Sequence, residues 1–297
     1  MKTVKPNILK EKSNSTLGPY RCNSEVKLTA AVIRKFQDEI YSFYKKNGRD
    51  LPWRMTSDPY HILVSEIMLQ QTQVQRVMEK YELFIRIFPD FYSLSNAPLQ
   101  KILKTWQGMG YNRRAIALKK IAQKIVNEFD GNLPTSVETL MTFPGIGRAT
   151  ASAIAAFAFQ CTTVFIETNI RRVFIHYFFP DTENVKDSDI LPLVEKTVCT
   201  SNPREWYYAL MDYGVMVKQN YENPNRKSAH YKRQSPFEGS NRQIRGMVLK
   251  LLVQEPNISA RQIGQKLNTH KDKLEYIIAQ LVKEGFIKKI RGKFTVR

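Results

Sequence analysis

Leu140–Phe159 reads L-M-T-F-P-G-I-G-R-A-T-A-S-A-I-A-A-F-A-F and is the most informative stretch of the chain. It predicts the end of one helix, a tight turn at Pro144–Gly147 and a second, alanine-rich helix. Gly145 and Gly147 carry no Cβ, so the backbone can take a positive φ and approach a ligand closely. The unpaired N–H groups that open the second helix can bind a phosphate group. An ordinary helix-turn-helix corner would show the same pattern.

The charge balance points to a polyanionic partner. The 297 residues include 46 Lys+Arg and 27 Asp+Glu, which gives a formal net charge of +19. Nucleic acid is the first candidate for such a partner, and a membrane surface is the competing one. No apolar run approaches the ~20 residues that cross a bilayer, and no signal peptide precedes the first predicted helix. We therefore expect a protein of the cytoplasm (nucleoid-associated) or the nucleus that is not secreted and has no membrane partner.

The cysteines argue against a metal site. Cys22, Cys161 and Cys199 are scattered singly along the chain. This spacing does not suit a disulfide framework or a four-cysteine metal or cluster site. We expect a chain that binds no metal.

The periodicity divides the chain into four segments. Residues 1–27 are polar and aperiodic, and we interpret them as a mobile tail. Residues 28–217 show helical periodicity throughout, including one long helix predicted from Tyr60 to about Phe88. Residues 218–240 form a polar, basic loop or linker. The sequence therefore predicts a mainly α protein.

Residues 241–297 form the fourth segment. Three predicted helices are followed by two short strands about the turn Arg291-Gly292, a pattern typical of a winged helix-turn-helix domain. Such modules bind DNA or act as protein–protein adaptors. From Lys218 to Arg297 the chain holds 18 Lys/Arg and 6 Asp/Glu, and this basic excess favours DNA.

Two glutamates are candidate chemical groups. Glu66 lies one helical turn from Ile62 and Leu63, so it borders an apolar stripe. A carboxylate beside apolar neighbours tends towards its protonated form, although a solvated helical glutamate fits the same pattern. Glu167 follows the buried run Val164–Ile166 and stands where a helix N-cap or first-turn residue falls. A glutamate there is often only a complement to the helix dipole.

Two aromatic residues have equally open interpretations. Trp53 follows a proline in an irregular link, where it can fill the core or line a site. Tyr111 directly follows G-M-G and would project from a loop. An exposed tyrosine can stack on a nucleic-acid base, and a packed tyrosine would show the same pattern.

Taken together, five strings resemble the helix-hairpin-helix DNA glycosylases, and among them the MutY-type adenine glycosylases. The strings are L-P-W-R (51–54), S-E-I-M-L-Q-Q-T-Q-V (65–74), G-M-G-Y (108–111), F-P-G-I-G-R-A-T-A (143–151) and I-E-T-N-I-R-R-V (166–173). The similarity runs in order from about Thr29 to Lys218. The string at 65–74 is the most specific, because the hairpin alone indicates only the superfamily. The resemblance implies a glycosylase fold of two helical subdomains ahead of the winged helix.

The resemblance implies a role for each matching residue. Glu66 would be the general acid that protonates a departing purine. Glu167, at the place of the family's catalytic aspartate, would stabilise a cationic sugar, and Asn169 would support it. A pocket for a flipped base would be lined by Arg49, Trp53, Arg54, Leu69 and, as a weaker candidate, Asp212. DNA contacts would come from Gln71, Thr72, Tyr111, Gly145, Gly147, Arg148 and, in the basic loop, Arg226, Lys232 and Arg233.

The sequence also departs from the family pattern. The family's D-G-N is E-T-N here, which makes the carboxylate at Glu167 one methylene longer. The four-cysteine iron–sulfur loop expected after L-M-D-Y-G is absent, so we expect no cofactor, and the basic loop at 223–234 stands in its place. The winged helix replaces a C-terminal Nudix-like domain. Ala149 occupies the position of the Schiff-base lysine of bifunctional relatives, which predicts a monofunctional enzyme.

The expected function is therefore a monofunctional DNA glycosylase of base excision repair. It would bind double-stranded DNA as a monomer, flip a mispaired or damaged base and hydrolyse its N-glycosidic bond. Adenine opposite 8-oxoguanine or guanine is the expected substrate. One alternative is thymine or uracil opposite guanine, and another is a DNA-binding or regulatory protein with weakened catalysis.

Overall fold

The computed structural model describes residues 28–233 and 235–297, and the tail expected at residues 1–27 lies outside them. The helices are α1 (Ala30–Asn47), α2 (Pro59–Leu69), α3 (Val74–Ile87), α4 (Phe91–Asn96), α5 (Leu99–Thr105), α6 (Arg113–Glu128), α7 (Val137–Met141), α8 (Arg148–Phe159), α9 (Thr168–Phe178), α10 (Asp187–Thr197), α11 (Pro203–Asn220), α12 (Asn241–Gln254), α13 (Ala260–Leu267) and α14 (Lys271–Lys283). The strands are β1 (Ile258–Ser259), β2 (Ile287–Ile290) and β3 (Lys293–Val296). No described helix is long and apolar enough to cross a membrane.

Two hydrophobic cores lie on either side of a central helix pair, α2 and α8. The first core gathers α2–α8 with α12–α14, and the second gathers α1 with α9–α11. Helix α2 contributes Leu63 to the first core and Ile62 to the second. Helix α8 likewise places Ile154 in the first core and Ala153 in the second. A helix that is apolar all round is buried on several sides, and α2 therefore carries its polar residues into the interior.

The single long helix predicted from Tyr60 to Phe88 is wrong, because the chain breaks between α2 and α3. Gln71, in the connecting turn, has a positive φ of 51°. The guanidinium of Arg114 donates to the carbonyls of Ile67, Met68 and Gln70 at 2.6–3.0 Å. These are the carbonyls that a helix end leaves unpaired, so a buried arginine from α6 stabilises the break.

The boundary predicted at residue 217 is also displaced. Helix α11 continues to Asn220, and the basic segment then contains a 3₁₀ turn at Pro224–Lys227. The backbone of Ser228 forms a parallel bridge with Val185. This part of the expected linker is therefore packed on the helical body.

The C-terminal residues 241–297 contain the three expected helices and the two-stranded hairpin. The additional strand β1 pairs antiparallel with β3, giving the sheet order β1-β3-β2. This unit packs through α12 on α5, and its apolar side chains join the first core. Its interpretation as a winged helix-turn-helix remains a prediction.

Candidate active site

Glu66 lies on the central helix α2 among apolar neighbours. Its side chain is half-buried between Ile62 and Ile67, which are both 1% exposed. Burial and, to a smaller extent, the negative charge of Glu167 raise the pKa of Glu66 to about 8, and Arg54 opposes the shift. The carboxyl group therefore holds a proton at neutral pH, as a general acid requires.

Glu167 caps the start of α9. Its Oε1 accepts hydrogen bonds from the backbone N–H groups of Asn169 at 2.7 Å and Ile170 at 2.9 Å. Burial raises the pKa of Glu167, while those two N–H groups and the cations Arg172 and Arg171 oppose the rise. Glu167 is thus the N-cap of α9, which is the structural alternative considered for it. The same hydrogen bonds fix its carboxyl group near Glu66.

A chain of hydrogen bonds through Asn169 and Arg172 positions Glu167. The Asn169 amide donates to Glu167 Oε2 at 3.3 Å, and Arg172 Nη1 donates to Asn169 Oδ1 at 2.6 Å. Arg172 Nη1 also donates to the carbonyl of Gly214 at 2.8 Å. A Cβ on Gly214 would lie 2.5 Å from the Asn169 carbonyl oxygen. The glycine of L-M-D-Y-G therefore lets α11 approach the start of α9 closely.

Asp212 binds both arginines of the link before α2. Its carboxylate accepts from the Arg49 backbone N–H and Nε at 2.8 and 2.7 Å. Arg54 donates to both of its oxygens at 2.8 Å, a bidentate pair. Burial pushes the pKa of Asp212 upward, but the hydrogen bonds of Arg54 and Arg49 outweigh it and leave the pKa lowered. Asp212 is an ionised anchor for the link that carries Trp53.

The other pocket candidates divide between the core and the site. Trp53 is 3% exposed and packs edge-on against Tyr81 at 5.4 Å, so the core-filling interpretation is the one that the structure shows. Leu69 is partly buried against the first core. Sequence reasoning missed Tyr208, over whose ring the Arg54 guanidinium lies at 4.5 Å. Burial raises the pKa of Tyr208 to about 12, and the nearby Glu66 carboxylate contributes to the shift.

Gln71, Thr72 and Tyr111 lie on two neighbouring turns that Arg114 joins. Arg114 donates to Thr72 Oγ1 at 2.9 Å and to the carbonyls of Met109 and Gly110 at 3.3 and 3.2 Å. Gln71 and Tyr111 are exposed, with positive φ values of 51° and 47°. Arg114 was also missed, although it lies four residues before Leu118 on the apolar face of α6. Its 8% exposure marks it as structural.

The glycine hairpin lies beside these turns. Gly145 has a φ of 79°, and a Cβ on Gly147 would meet no atom within 4 Å. Gly147 is the N-cap of α8, and no side chain in the described part of the molecule caps it. The Gln70 amide donates to the Gly145 carbonyl at 3.1 Å. The start of α8 is thus open to an anion, with Arg148 exposed next to it.

The basic segment after α11 does not fit an iron–sulfur cluster. Such a cluster needs four cysteine thiolates, and the chain has three cysteines, none after Cys199. Two asparagines instead brace the start of α9: Asn223 Oδ1 accepts from Arg172 Nε at 3.2 Å, and Asn225 donates to the Thr168 carbonyl at 2.9 Å. Arg226 is paired with Glu222 at 2.8 Å. Lys232 and Arg233 are exposed.

These features serve one kind of chemistry. The carboxyl group of Glu66 is close enough to Glu167 for the charge of Glu167 to raise its pKa. The open start of α8 follows the hairpin that Gln70, at the end of the helix of Glu66, contacts. The fold is that of the helix-hairpin-helix DNA repair proteins. Residues 64–191 match the family model of the HhH-GPD superfamily base excision DNA repair proteins. The chain belongs to this superfamily.

Within the superfamily, the chain is similar to adenine DNA glycosylases. The enzyme of Mycolicibacterium smegmatis is 33% identical over 245 residues, covering 72% of this chain and 79% of the relative. That of Buchnera aphidicola subsp. Baizongia pistaciae is 37% identical over 187 residues, covering 61% of this chain and 52% of the relative. The chain spans only 40% to 52% of the first three curated relatives.

A solved thymine-DNA glycosylase has the same fold. This thermostable protein superposes with a TM-score of 0.57 at 26% identity, covering 66% of this chain and 91% of that chain. The aligned share of this chain is close to that of the helical body, so the comparison supports the fold of that part.

Proposed function

We propose that the chain is a DNA glycosylase of base excision repair that removes a mispaired adenine from double-stranded DNA. The observation that carries the proposal is the raised pKa of Glu66, about 8, on a helix beside a second fixed carboxylate. Breaking an N-glycosidic bond develops negative charge on the base and positive charge on the sugar. A proton donor and an anion at one site meet both requirements.

In the proposed reaction, Glu66 gives its proton to the departing purine as the bond between base and sugar breaks. The bonding electrons leave with the base, and the Glu167 carboxylate stabilises the cationic sugar. Water then adds to the sugar and passes a proton to a carboxylate of the site, which restores the proton that Glu66 gave up and leaves an abasic site. Asn169 positions Glu167, and the reaction uses no lysine nucleophile at the start of α8, since Ala149 stands there.

The DNA would be bound by the turns and the hairpin. The phosphate backbone would dock at Gly145–Arg148, where the start of α8 is open. Gln71 and Tyr111, on the two turns joined by Arg114, would occupy the duplex where the base has left the stack. Exposed cations of the basic segment, Lys232 and Arg233, would add phosphate contacts. We propose adenine as the substrate before other bases, because the relatives from M. smegmatis and Buchnera are adenine DNA glycosylases.

A second candidate substrate is a pyrimidine opposite guanine. It is favoured by the fold comparison with a thymine-DNA glycosylase at 26% identity. Both candidates use the same fold and the same break of an N-glycosidic bond, so the choice between them rests on the base that is released.

The test is a panel of duplexes carrying adenine opposite 8-oxoguanine, adenine opposite guanine, thymine opposite guanine and uracil opposite guanine. Hot alkali reveals abasic sites as strand breaks, and the Glu66→Gln variant is the control. We expect cleavage of the adenine strand, reduced at least ~1000-fold in the variant because the proton donor is lost. Cleavage only at thymine or uracil would support the second candidate. Intact strands throughout would refute both.

The same assay has a pH dependence that follows from Glu66. Its proton is bound below a pKa of about 8 and lost above it. The single-turnover excision rate should therefore be flat near neutrality and fall about tenfold per pH unit well above 8. A rate that rises across this range would exclude Glu66 as the acid.

A further inference from the structure

Ion pairs of Glu284 hold the C-terminal unit, residues 241–297, against the helical body formed by α1–α11. Glu284 accepts from Arg113 at 2.7 Å and from Arg245 at 2.7 Å, and so joins α6 to the unit. The Arg113 hydrogen bond is the main cause that lowers the pKa of Glu284 to about 2. Gln100 on α5 also donates to the Val253 carbonyl on α12 at 3.2 Å. With the shared first core, these contacts give the start of α12 a defined position relative to the exposed turns.

One cation of α12 reaches the turn that carries Tyr111. Arg242 Nη1 lies 3.4 Å from the Tyr111 hydroxyl oxygen, although the two residues are 131 positions apart in the chain. Arg242 Nη2 donates to the Ser235 carbonyl at 2.7 Å, and the Pro236 carbonyl lies at 3.4 Å. In the described part of the chain, Arg242 thus contacts neutral oxygens, and its guanidinium keeps an uncompensated charge beside Tyr111.

Arg242 and the hairpin attach to different turns. The turn after α2 is tied to the hairpin through Gln70, which donates to the Gly145 carbonyl and to Thr150 Oγ1. The neighbouring turn holds Tyr111, and Arg242 meets it from the C-terminal unit. If Tyr111 enters the duplex where the flipped base has left the stack, as proposed above, Arg242 beside Tyr111 lies close to the base that remains on the complementary strand.

We propose that Arg242 is a specificity-determining residue that contacts the base left without a partner in the complementary strand. The inference rests on the proposed glycosylase function and extends it to the opposite base. A guanidinium has only donors and offers two parallel N–H groups. Guanine presents two adjacent acceptors, O6 and N7, on its major-groove edge, whereas cytosine presents an amino donor there. Arg242 therefore favours guanine over cytosine opposite the target adenine.

The experiment compares excision of adenine opposite guanine with excision opposite cytosine, in single-turnover assays with the full chain. Three variants are measured beside the wild type. Arg242→Ala removes the contact, and Arg242→Lys keeps the charge but not the parallel N–H groups. Arg261→Ala removes the same charge from an exposed position of α13 in the same unit. Thermal melts confirm that all three fold.

The wild type should prefer guanine, and Arg242→Ala should lower the guanine-to-cytosine rate ratio roughly tenfold, the usual size of one bidentate base contact. Arg242→Lys should lower it nearly as far, and Arg261→Ala should leave it unchanged. An equal loss on both duplexes in Arg242→Ala would mean a phosphate contact and overturn the proposal. An unchanged ratio would do the same.

A parallel binding measurement separates this proposal from the proposed function. Duplexes carrying an uncleavable abasic-site analogue opposite guanine or cytosine need no chemistry. If the wild type cleaves no adenine duplex, the proposed function fails, yet the ratio of the two dissociation constants still tests Arg242. That ratio should fall roughly tenfold in Arg242→Ala, and an unchanged ratio counts against the contact.

Discussion

Asp212 and Glu66 are carboxylates of the same site with opposite electrostatic surroundings. Asp212 accepts four hydrogen bonds from Arg49 and Arg54, and these outweigh its burial and lower its pKa. Glu66 is half-buried among apolar side chains, and burial raises its pKa to about 8. Arg49 and Arg54 thus compensate the negative charge of Asp212. Glu66, the proposed acid, keeps its raised pKa and can hold a proton. Only the uncompensated carboxyl suits proton transfer at neutral pH.

Glu167 lies between these extremes. Burial raises its pKa, as for Glu66, but two backbone N–H groups at the start of α9 hold the carboxylate, as arginines hold Asp212. In its ionised form, a carboxyl group that is held by N–H donors suits a group that stabilises positive charge. Their partners therefore suit the three carboxyl groups to different proposed roles, Asp212 as anchor, Glu66 as acid and Glu167 as the group that stabilises positive charge.

The largest expected effect is on the anchor. Asp212→Asn removes the negative charge and leaves Arg54, 5% exposed in its side chain, without an anion. We expect the free energy of unfolding to fall by about 3 kcal/mol, because breaking a buried ion pair leaves an uncompensated charge. Urea denaturation at pH 7 measures it. Asp181→Asn, at an exposed position, is the matched control and should change stability by less than about 0.5 kcal/mol. A loss below 1 kcal/mol for Asp212→Asn would show that the arginines find other partners.

Glu66→Gln should act in the opposite direction. The carboxyl has an ordinary pKa of 4.5 in the unfolded chain and a pKa of about 8 in the fold. Below pH 4.5 both states are protonated, and between these values only the unfolded chain ionises, so the wild type loses stability as pH rises towards 8. The variant should match the wild type near pH 4 and exceed it by about 2 kcal/mol at pH 9, allowing for partial solvent contact.

Urea titrations at pH 4, 7 and 9 measure this difference. Glu79→Gln, at an exposed position on α3, serves as control and should show no such trend. A Glu66→Gln protein that is less stable than the wild type at pH 9 would mean that the carboxylate is stabilised in the fold.

The prediction of the candidate site from the sequence rested on local patterns. The glycines at Gly145 and Gly147, the carboxylate at the start of α9 and the glutamate beside an apolar stripe all lie in short segments whose geometry depends on near neighbours. The helices follow from their periodicity for the same reason. The break after α2 was missed because its cause, Arg114, is more than 40 residues away in the chain.

Local sequence patterns could not predict contacts between residues that lie far apart in the chain. Asp212 binds residues more than 150 positions earlier, and Arg242 meets Tyr111 across 131 positions. Trp53 could fill the core or line a pocket, and only its packing on Tyr81 decides for the core. The resemblance to a family named the residues of the site, whereas the partners that set their pKa values come from tertiary packing.

The smallest expected effect is that of Asn223, which helps to position Glu167 through Arg172 and Asn169. Asn223→Ala removes the acceptor of Arg172 Nε, whose other hydrogen bonds reach Asn169 and the Gly214 carbonyl. The variant also loses the hydrogen bond that the Asn225 N–H donates to Asn223 Oδ1 at 3.3 Å. The loss of these two long hydrogen bonds, together ~1 kcal/mol, should lower the single-turnover excision rate about fivefold through a looser Glu167. Asn220→Ala, three residues earlier and exposed at the end of α11, is the control.

The pH profile tells a positioning role from damage to the acid. Glu66 keeps its surroundings in Asn223→Ala, so the rate should fall equally at every pH and the midpoint should stay at the wild-type value near 8. If the midpoint of the pH profile moved by a full pH unit, the contact of Asn223 with Arg172 would control the pKa of Glu66 as well. Glu66 and Glu167 would then respond to one shared contact instead of separate partners. An unchanged rate would mean that the N-cap alone holds Glu167 in place, because its two N–H hydrogen bonds are independent of Asn223.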